Sequence, residues 1–507
     1  MTRLTRREFL GTAAMLAAQA QPRRPNILFV MVDEMRWDAM GCEKHPVVDT
    51  PNLDRLANQG VRFASSYTVS PVCSPARASV FTGRYAHVHG VTTNGTPAHR
   101  GEIFLPSVLR HHGYHTAIAG KLHYTPQRFD YGFDQFWSFS AEGPTPDLGY
   151  MAYLRRKHGS PAKWPIVDGT CPWPDDPLGR DVGLFKHPRE DFETEWITDR
   201  SIDYLKSRQG KTEPWFLFTS YLKPHSPSVE PEPYFSKYDP AAMPIPKLPP
   251  NAREIRAAQT GQSRRQFVDD ERMMRVMSAL YYGAITHVDN QLGRLFGELE
   301  RLGMADNTLV LFTADHGNML GDHGRWFKGV QYEGSSRVPL LWRGPKGAAE
   351  RVGRVVDKTV ENSDLMPSIL EAAGLPVPEG VQGRSFLKLA RGEDSQWKDR
   401  CYSQLRSGMF LEGARWKLID NSLDGSGPAE LYDLRNDPKE ALNLAESPAQ
   451  RDRVVEYRRR VAAWRAEKPA PVRISGMPTP AYAEITETER AEAKQSTPAK
   501  QARRKKQ

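Results

Sequence analysis

Five apolar runs of strand length recur along the chain, and what ends them constrains the fold most. Asn26 to Val32 (NILFVMV) runs straight into Asp33-Glu34; Tyr114 to Ala119, Trp215 to Tyr221, Thr308 to Thr313 and Val338 to Trp342 are the others. A strand that is apolar without alternation is buried on both faces, which a sheet covered by helices on each side provides. Helical stretches lie between the runs. Residues Thr50 to Gly60 read as a short helix with Thr50 as its cap, Pro51 at its first position and Gly60 just past its end. Met273 to Leu302 carries a long helical pattern with a strong apolar face. The alternation predicts an α/β fold, a mostly parallel sheet sandwiched by helices.

Two stretches break the alternation. Residues 137–195 and 225–265 are rich in Pro, Asp, Trp and Tyr without a sustained period, which suits binding loops inserted in a compact domain. The pattern shifts near residue 390: Cys401 to Asp420 resembles a hairpin, Glu430 to Pro438 follows, and a helix is expected from about Ser447 to Glu467. The expected organisation is therefore an address peptide over 1–20, a catalytic domain over 21–390, a smaller α+β subdomain on an antiparallel sheet over 391–468, and a polar tail over 469–507.

In open α/β sheets, ligands lie beyond the carboxyl ends of the strands. Four of the strand ends deliver chemistry: Asp33 and Glu34, then Lys121 and His123, then Lys223 and His225, then Asp315 and His316. One such pair is ordinarily a solvated loop charge; four together predict a site. The acidic pairs Asp33-Glu34 and Asp315-His316, distant in sequence and adjacent in the expected sheet, suit a hard divalent cation. No Cys/His spacing of zinc-finger type occurs.

Ser70 to Arg84 (SPVCSPARASVFTGR) holds the remaining chemistry. Pro75 and Gly83 bracket a short helix whose positive N-terminal end lies beside Cys73, a place for an anion or an anionic nucleophile. Arg77, one turn along, could reach back toward Cys73. A phosphatase-type cysteine loop needs a longer spacer than the three residues between Cys73 and Arg77, and the position six after Cys73 is Ser79. On local grounds Cys73 reads equally as a nucleophile or as a buried structural cysteine.

Cys73-Ser74-Pro75-Ala76-Arg77 resembles the C-x-P-x-R signature of the type I sulfatases, and Gly83-Arg84 with the residues to Gly90 fits its continuation. The resemblance extends in order through Val32-Asp33-Glu34, Gly120-Lys121-Leu122-His123, Lys223-Pro224-His225, Ala314-Asp315-His316-Gly317, Lys328-Gly329 and Glu430 to Pro438, over roughly residues 25–465. It implies an alkaline-phosphatase-like domain with a smaller C-terminal subdomain. It further implies oxidation of Cys73 to formylglycine by a formylglycine-generating enzyme; the aldehyde hydrates to a diol, one oxygen attacks the sulfate ester and the other expels sulfate. Asp33, Glu34, Asp315 and His316, with the modified Cys73, would hold one divalent cation, Ca2+ by preference and Mg2+ as the alternative. Arg77 and Lys121 would hold the diol oxygens and Lys328 a sulfate oxygen. His123 would serve as the base of the collapse step and His225 as the acid for the leaving alcohol, while Lys223 would be a flanking charge. Glu34 departs from the commoner Asp or Gln, being longer, and His316 stands where many members have Asn.

The implied activity is hydrolysis of sulfate monoesters, sulfated carbohydrates foremost. Trp164, Trp173, Arg325 and Trp326 are candidates for a sugar-lining surface. Phosphonate and phosphate diester hydrolases of the same superfamily share these motifs, and an exported sulfoglycan-binding protein with unconverted Cys73 is a third reading. Thr5-Arg6-Arg7-Glu8-Phe9-Leu10-Gly11, the small-residue stretch after it and Ala18-Gln19-Ala20 read as a twin-arginine signal, which predicts the export machinery as a partner and the periplasm or exterior as destination. The apolar part is shorter than the roughly 20 residues of a membrane span, so no transmembrane segment is expected. Of the formal net charge of +9, +2 lies in residues 1–20 and +5 in residues 498–507, leaving only +2 between them, so nucleic acid is not an expected partner. The other cysteines, Cys42, Cys171 and Cys401, allow at most one disulfide.

Overall fold

The computed structural model describes residues 24–99, 101–139, 148–159, 165–170, 182–246, 271–393, 396–422 and 425–478. The expected signal at 1–20, Trp164, Trp173, Cys171 and the end of the basic tail lie outside them.

The main sheet contains β1 (Asn26–Asp33), β2 (Val61–Phe63), β3 (His115–Gly120), β4 (Gln135–Ser138), β5 (Trp215–Pro224), β6 (Thr308–Ala314), β7 (Leu340–Arg343) and β8 (Arg354–Val356). Its order is β8-β2-β7-β6-β1-β5-β3-β4. The pairings β1–β5, β1–β6, β3–β5, β3–β4 and β2–β8 are parallel, and only β7 runs against its neighbours β6 and β2. The last expected strand is thus present but reversed.

β1 is central and wholly buried. Its side chains alternate between two cores, which explains its unbroken apolar run. Leu28, Val30 and Val32 pack with α1 (Pro51–Gln59), α4 (Glu193–Arg208) and α5 (Glu271–Arg301); Ile27, Phe29 and Met31 pack with α2 (Cys73–Thr82), α3 (Leu105–His111) and α6 (Leu365–Ala372). Burying each such side chain contributes roughly 1.5–3 kcal/mol. Thr50 precedes α1 as expected but does not cap it with its side chain. Its hydroxyl instead accepts from the Gly41 N–H at 2.8 Å and donates to Asp54 at 3.2 Å.

The stretch expected to be irregular over 137–195 contains a helix, Tyr150–His158, and the start of α4. The expected hairpin is larger: β9 (Arg400–Gln404), β10 (Gly408–Glu412), β11 (Trp416–Asp420) and β12 (Ala429–Asp433) form one antiparallel sheet in sequence order. Met409, Leu411 and Ile419 face Tyr67 of the main domain, while Phe410, Leu418 and Leu431 face Tyr457 and Val461 of α7 (Arg451–Arg465). Among the described residues no helix is long and apolar enough to cross a membrane.

Candidate active site

The parallel register brings the strand ends level. Val32 pairs with Ala314, so Asp33 and Asp315 emerge side by side; the Asp315 N–H donates to Val32 O at 3.3 Å. Gly120 ends β3 with φ +113, and a Cβ there would sit 1.8 Å from the Ser220 carbonyl oxygen. Only glycine fits, and the chain turns there to deliver Lys121, whose N–H donates to Ser220 O at 3.0 Å. Three further residues at or next to the site take left-handed backbone: Glu34 (φ +73), His123 (φ +68) and Phe327 (φ +69). Such conformations cost of order 1–3 kcal/mol each and persist where packing over-determines them. His123 is held by Ser74, whose hydroxyl donates to its carbonyl at 2.7 Å.

Cys73 is the first residue of α2, a helix whose every side chain is buried. Pro75 lies in its first turn, just inside the start, and Gly83 closes it with φ +64, both as expected. The Cys73 sulfur is 3.2 Å from His316 Nε2, 3.3 Å from Lys328 Nζ, 3.7 Å from Asp33 Oδ1 and 3.8 Å from Lys121 Nζ. Burial pushes the thiol up, but Lys121, Lys328, His316 and a hydrogen bond from His123 outweigh it and hold Cys73 well below the usual thiol range. The position is built for an anion.

Asp33, Cys73, Asp315 and His316 offer ligand atoms all within 4.8 Å of one another, and Asp33 forms a second such group with Glu34 and His225. Burial and Cys73 raise the Asp33 carboxyl, but Lys121, His225 and Lys328 hold it below the ordinary carboxylate range. His316 Nδ1 faces its neighbour's carbonyl, Gly317 O, at 3.0 Å, which commits the Nδ1 proton and leaves Nε2 toward the cluster. Burial opposes its protonation, yet Asp315 and Cys73 push the imidazole up to about 9. Carboxylates converging with a pre-oriented imidazole fit a divalent cation.

Arg77 differs from expectation. Its guanidinium donates to Asp315 Oδ2 at 2.8 Å, Lys121 O at 2.8 Å, Ser220 Oγ at 2.9 Å and Asp33 Oδ2 at 3.4 Å. It braces the carboxylates from below. Lys121 pairs with Asp33. Lys328 bonds Glu34 at 2.9 Å, and His225 Nε2 is 3.3 Å from Glu34 Oε2. Lys223 is no flanking surface charge: it is buried, 3.4 Å from Glu230, and donates to Pro227 O at 2.6 Å. Trp326 is buried and lines no open surface; Arg325 is half-buried beside it.

Three contributors escape a reading by strand ends. Asn318 donates to Glu34 Oε1 at 2.8 Å and accepts from the Leu320 and Phe327 N–H groups, tying the Lys328 loop to the site. Its place two residues after His316 was the available signal. Asn94 accepts from the Ser74 N–H at 2.9 Å, and Tyr281 donates to Glu34 O at 2.7 Å; neither lies in a motif.

A family model described as Sulfatase matches residues 25–375, and one described as N-sulphoglucosamine sulphohydrolase, C-terminal, matches residues 321–467. An arylsulfatase of Clostridium perfringens is 32% identical over 461 residues, covering 86% of this chain and 93% of that protein. An N-acetylglucosamine-6-O-sulfatase of Bacteroides thetaiotaomicron is 26% identical, covering 85% of each chain. The crystal structure of a phosphonate monoester hydrolase of Agrobacterium radiobacter superposes with a TM-score of 0.75 at 25% identity, over 87% of this chain and 96% of that one. With the fold, the ordered strand-end motifs and these matches in agreement, the chain belongs to the sulfatase family, hydrolases of the alkaline phosphatase superfamily.

Proposed function

We propose that the protein hydrolyses sulfate monoesters, sulfated carbohydrates foremost, with residue 73 as the nucleophile position. The observation that carries this reading is the convergence of Lys121, Lys328 and His316 on the Cys73 sulfur within 3.8 Å, beside a cation-type donor set. Formylglycine at position 73, when formed, supplies a hydrated aldehyde whose oxygen attacks sulfur. A divalent cation, Ca2+ by preference or Mg2+, would be held by Asp33, Glu34, Asp315 and His316 and would neutralise developing charge.

The chain's own residues do the rest. Lys328 and Lys121 place ammonium groups where charge builds on the sulfuryl and nucleophile oxygens. Arg77 fixes Asp33 and Asp315. His225 has Nδ1 against Ser226 O at 2.6 Å, which commits that proton, so the imidazolium delivers its second proton from Nε2 to the bridging ester oxygen as the S–O bond breaks. His123 takes the proton at position 73 when sulfate is expelled. The test is release of sulfate from 4-nitrophenyl sulfate and from sulfated monosaccharides, with the Cys73 peptide weighed intact. Free thiol only, with no turnover, defeats the reading and favours a sulfoglycan-binding protein.

The likeness to the phosphonate monoester hydrolase supports a second reading, cleavage of phosphonate or phosphate esters at the same site. The ratio of turnover on 4-nitrophenyl sulfate to that on an aryl phosphonate monoester separates the two. The twin-arginine reading of residues 1–20 supports export to the periplasm, tested by the N-terminus of protein from the native host.

A further inference from the structure

Beneath the turn that carries His225 lies a buried ionisable cluster that the reaction scheme does not use. Lys223 is the last residue but one of β5, the His225 N–H donates to Leu222 O at 3.0 Å, and the chain returns through Pro227 to Glu230. Lys223 Nζ spans this turn, reaching Pro227 O at 2.6 Å and Glu230 Oε1 at 3.4 Å. Glu230 in turn meets His287 Nδ1 of α5 at 2.8 Å, and His287 Nε2 lies 2.8 Å from Glu195 of α4. The His287 ring is stacked on Tyr234 at 4.0 Å, with the Phe192 ring, also stacked, at 5.6 Å. Glu193 of α4, fully buried, joins the group and is pushed up to about 8 by its burial.

Buried ion sets contribute little relative to apolar packing of equal volume, so stability alone does not account for five ionisable groups under one turn. Their arrangement has one mechanical outcome: the two ends of the turn are fastened to each other and to two helices, with His225 at its tip.

We propose that His287, acting through Glu230 and Lys223, is a positioning residue that sets the aim of His225 at the departing ester oxygen. The proposal rests on the sulfate-hydrolase reading above. Aim matters only when the leaving oxygen needs a proton, since a weakly acidic phenol or an alcohol leaves poorly as the anion while 4-nitrophenolate leaves unaided.

The test compares kcat/KM on 4-nitrophenyl sulfate and on phenyl sulfate for wild type and His287→Gln, with melting temperature and Cys73 conversion measured on each. The expected result is a loss of about 10- to 100-fold on phenyl sulfate, part of the roughly 10²- to 10⁴-fold a proton-transfer group supplies since His225 is misaimed rather than removed, and a change under about 3-fold on 4-nitrophenyl sulfate. Glu230→Gln, close to isosteric, is expected to do the same and carries the test if His287→Gln does not fold. Equal losses on both esters, an unchanged ratio, or failure of both variants to fold would make the cluster a structural support and overturn the proposal. Absence of wild-type turnover on either ester would remove the hydrolase reading itself and this one with it.

Discussion

Two of the buried ionic clusters in this molecule are built on opposite plans. At the junction of the main domain and the antiparallel sheet, Lys417 bonds Glu333 at 3.0 Å and Glu440 at 2.7 Å. Tyr67 donates to Glu333 at 3.0 Å, and Glu440 accepts from the Glu333 N–H at 2.7 Å. Its anions point at donors. At the strand ends, Asp33, Asp315 and His316 gather around one another and Cys73, while Arg77 braces the carboxylates from below and Lys121 and Lys328 flank them. The first cluster pairs its anions with the protein's own donors, whereas the second gathers ligand-type atoms in the way the proposed cation site would need.

The largest expected effect is at the open cluster. Cys73→Ala should lower sulfate release by more than about 10⁴-fold, near the loss from removing a nucleophile, while leaving the melting temperature unchanged or higher, because it removes an anion facing Asp33. A fall in stability would mean that Cys73 is a core residue after all. Lys417→Met should do the reverse, costing about 3–5 kcal/mol of stability by stranding Glu333 and Glu440, with activity per folded molecule kept. Urea unfolding and active-site-normalised rates read both.

A chelator should lower the melting temperature of the wild type, equivalent to about 2–3 kcal/mol for a cation held at 100 times its Kd. The shift should vanish in Asp315→Asn and persist in Lys417→Met. A chelator shift that survives Asp315→Asn would move the cation elsewhere.

The smallest effect is in pH. Burial pushes the Glu440 carboxyl up to about 7 despite Lys417. The folded state thus holds a proton that the unfolded chain has lost above its ordinary value, so the stabilisation is full below about 4.5 and declines as pH rises through 7. Wild type should lose on the order of 2 kcal/mol more than Glu440→Gln between pH 5 and pH 8.

The sheet and the members of the site were legible because central parallel strands must be apolar throughout and must put their chemistry at their ends. β1 with Asp33 and β6 with Asp315 show this directly. What was not legible depends on contacts across hundreds of residues. Arg77 reads locally as a partner for Cys73, yet Asp315 on the central sheet takes its guanidinium. Lys223 reads as a loop charge because the turn folds Glu230 back under it and only the packing of α5 adds His287. Trp326 reads as a sugar platform, and its burial depends on how the loop before Lys328 folds back.

The complete burial of α2 sets a clock. Another protein that is to rebuild the Cys73 side chain must capture the segment during the interval between synthesis and collapse, since afterward no part of the helix is offered. If Cys73 is converted as proposed, the competent fraction of a preparation would be fixed at the birth of each molecule. Two batches with identical melting curves would then differ in specific activity, and slowing the chain's folding in the producing cell would raise yield where improving the purification would not.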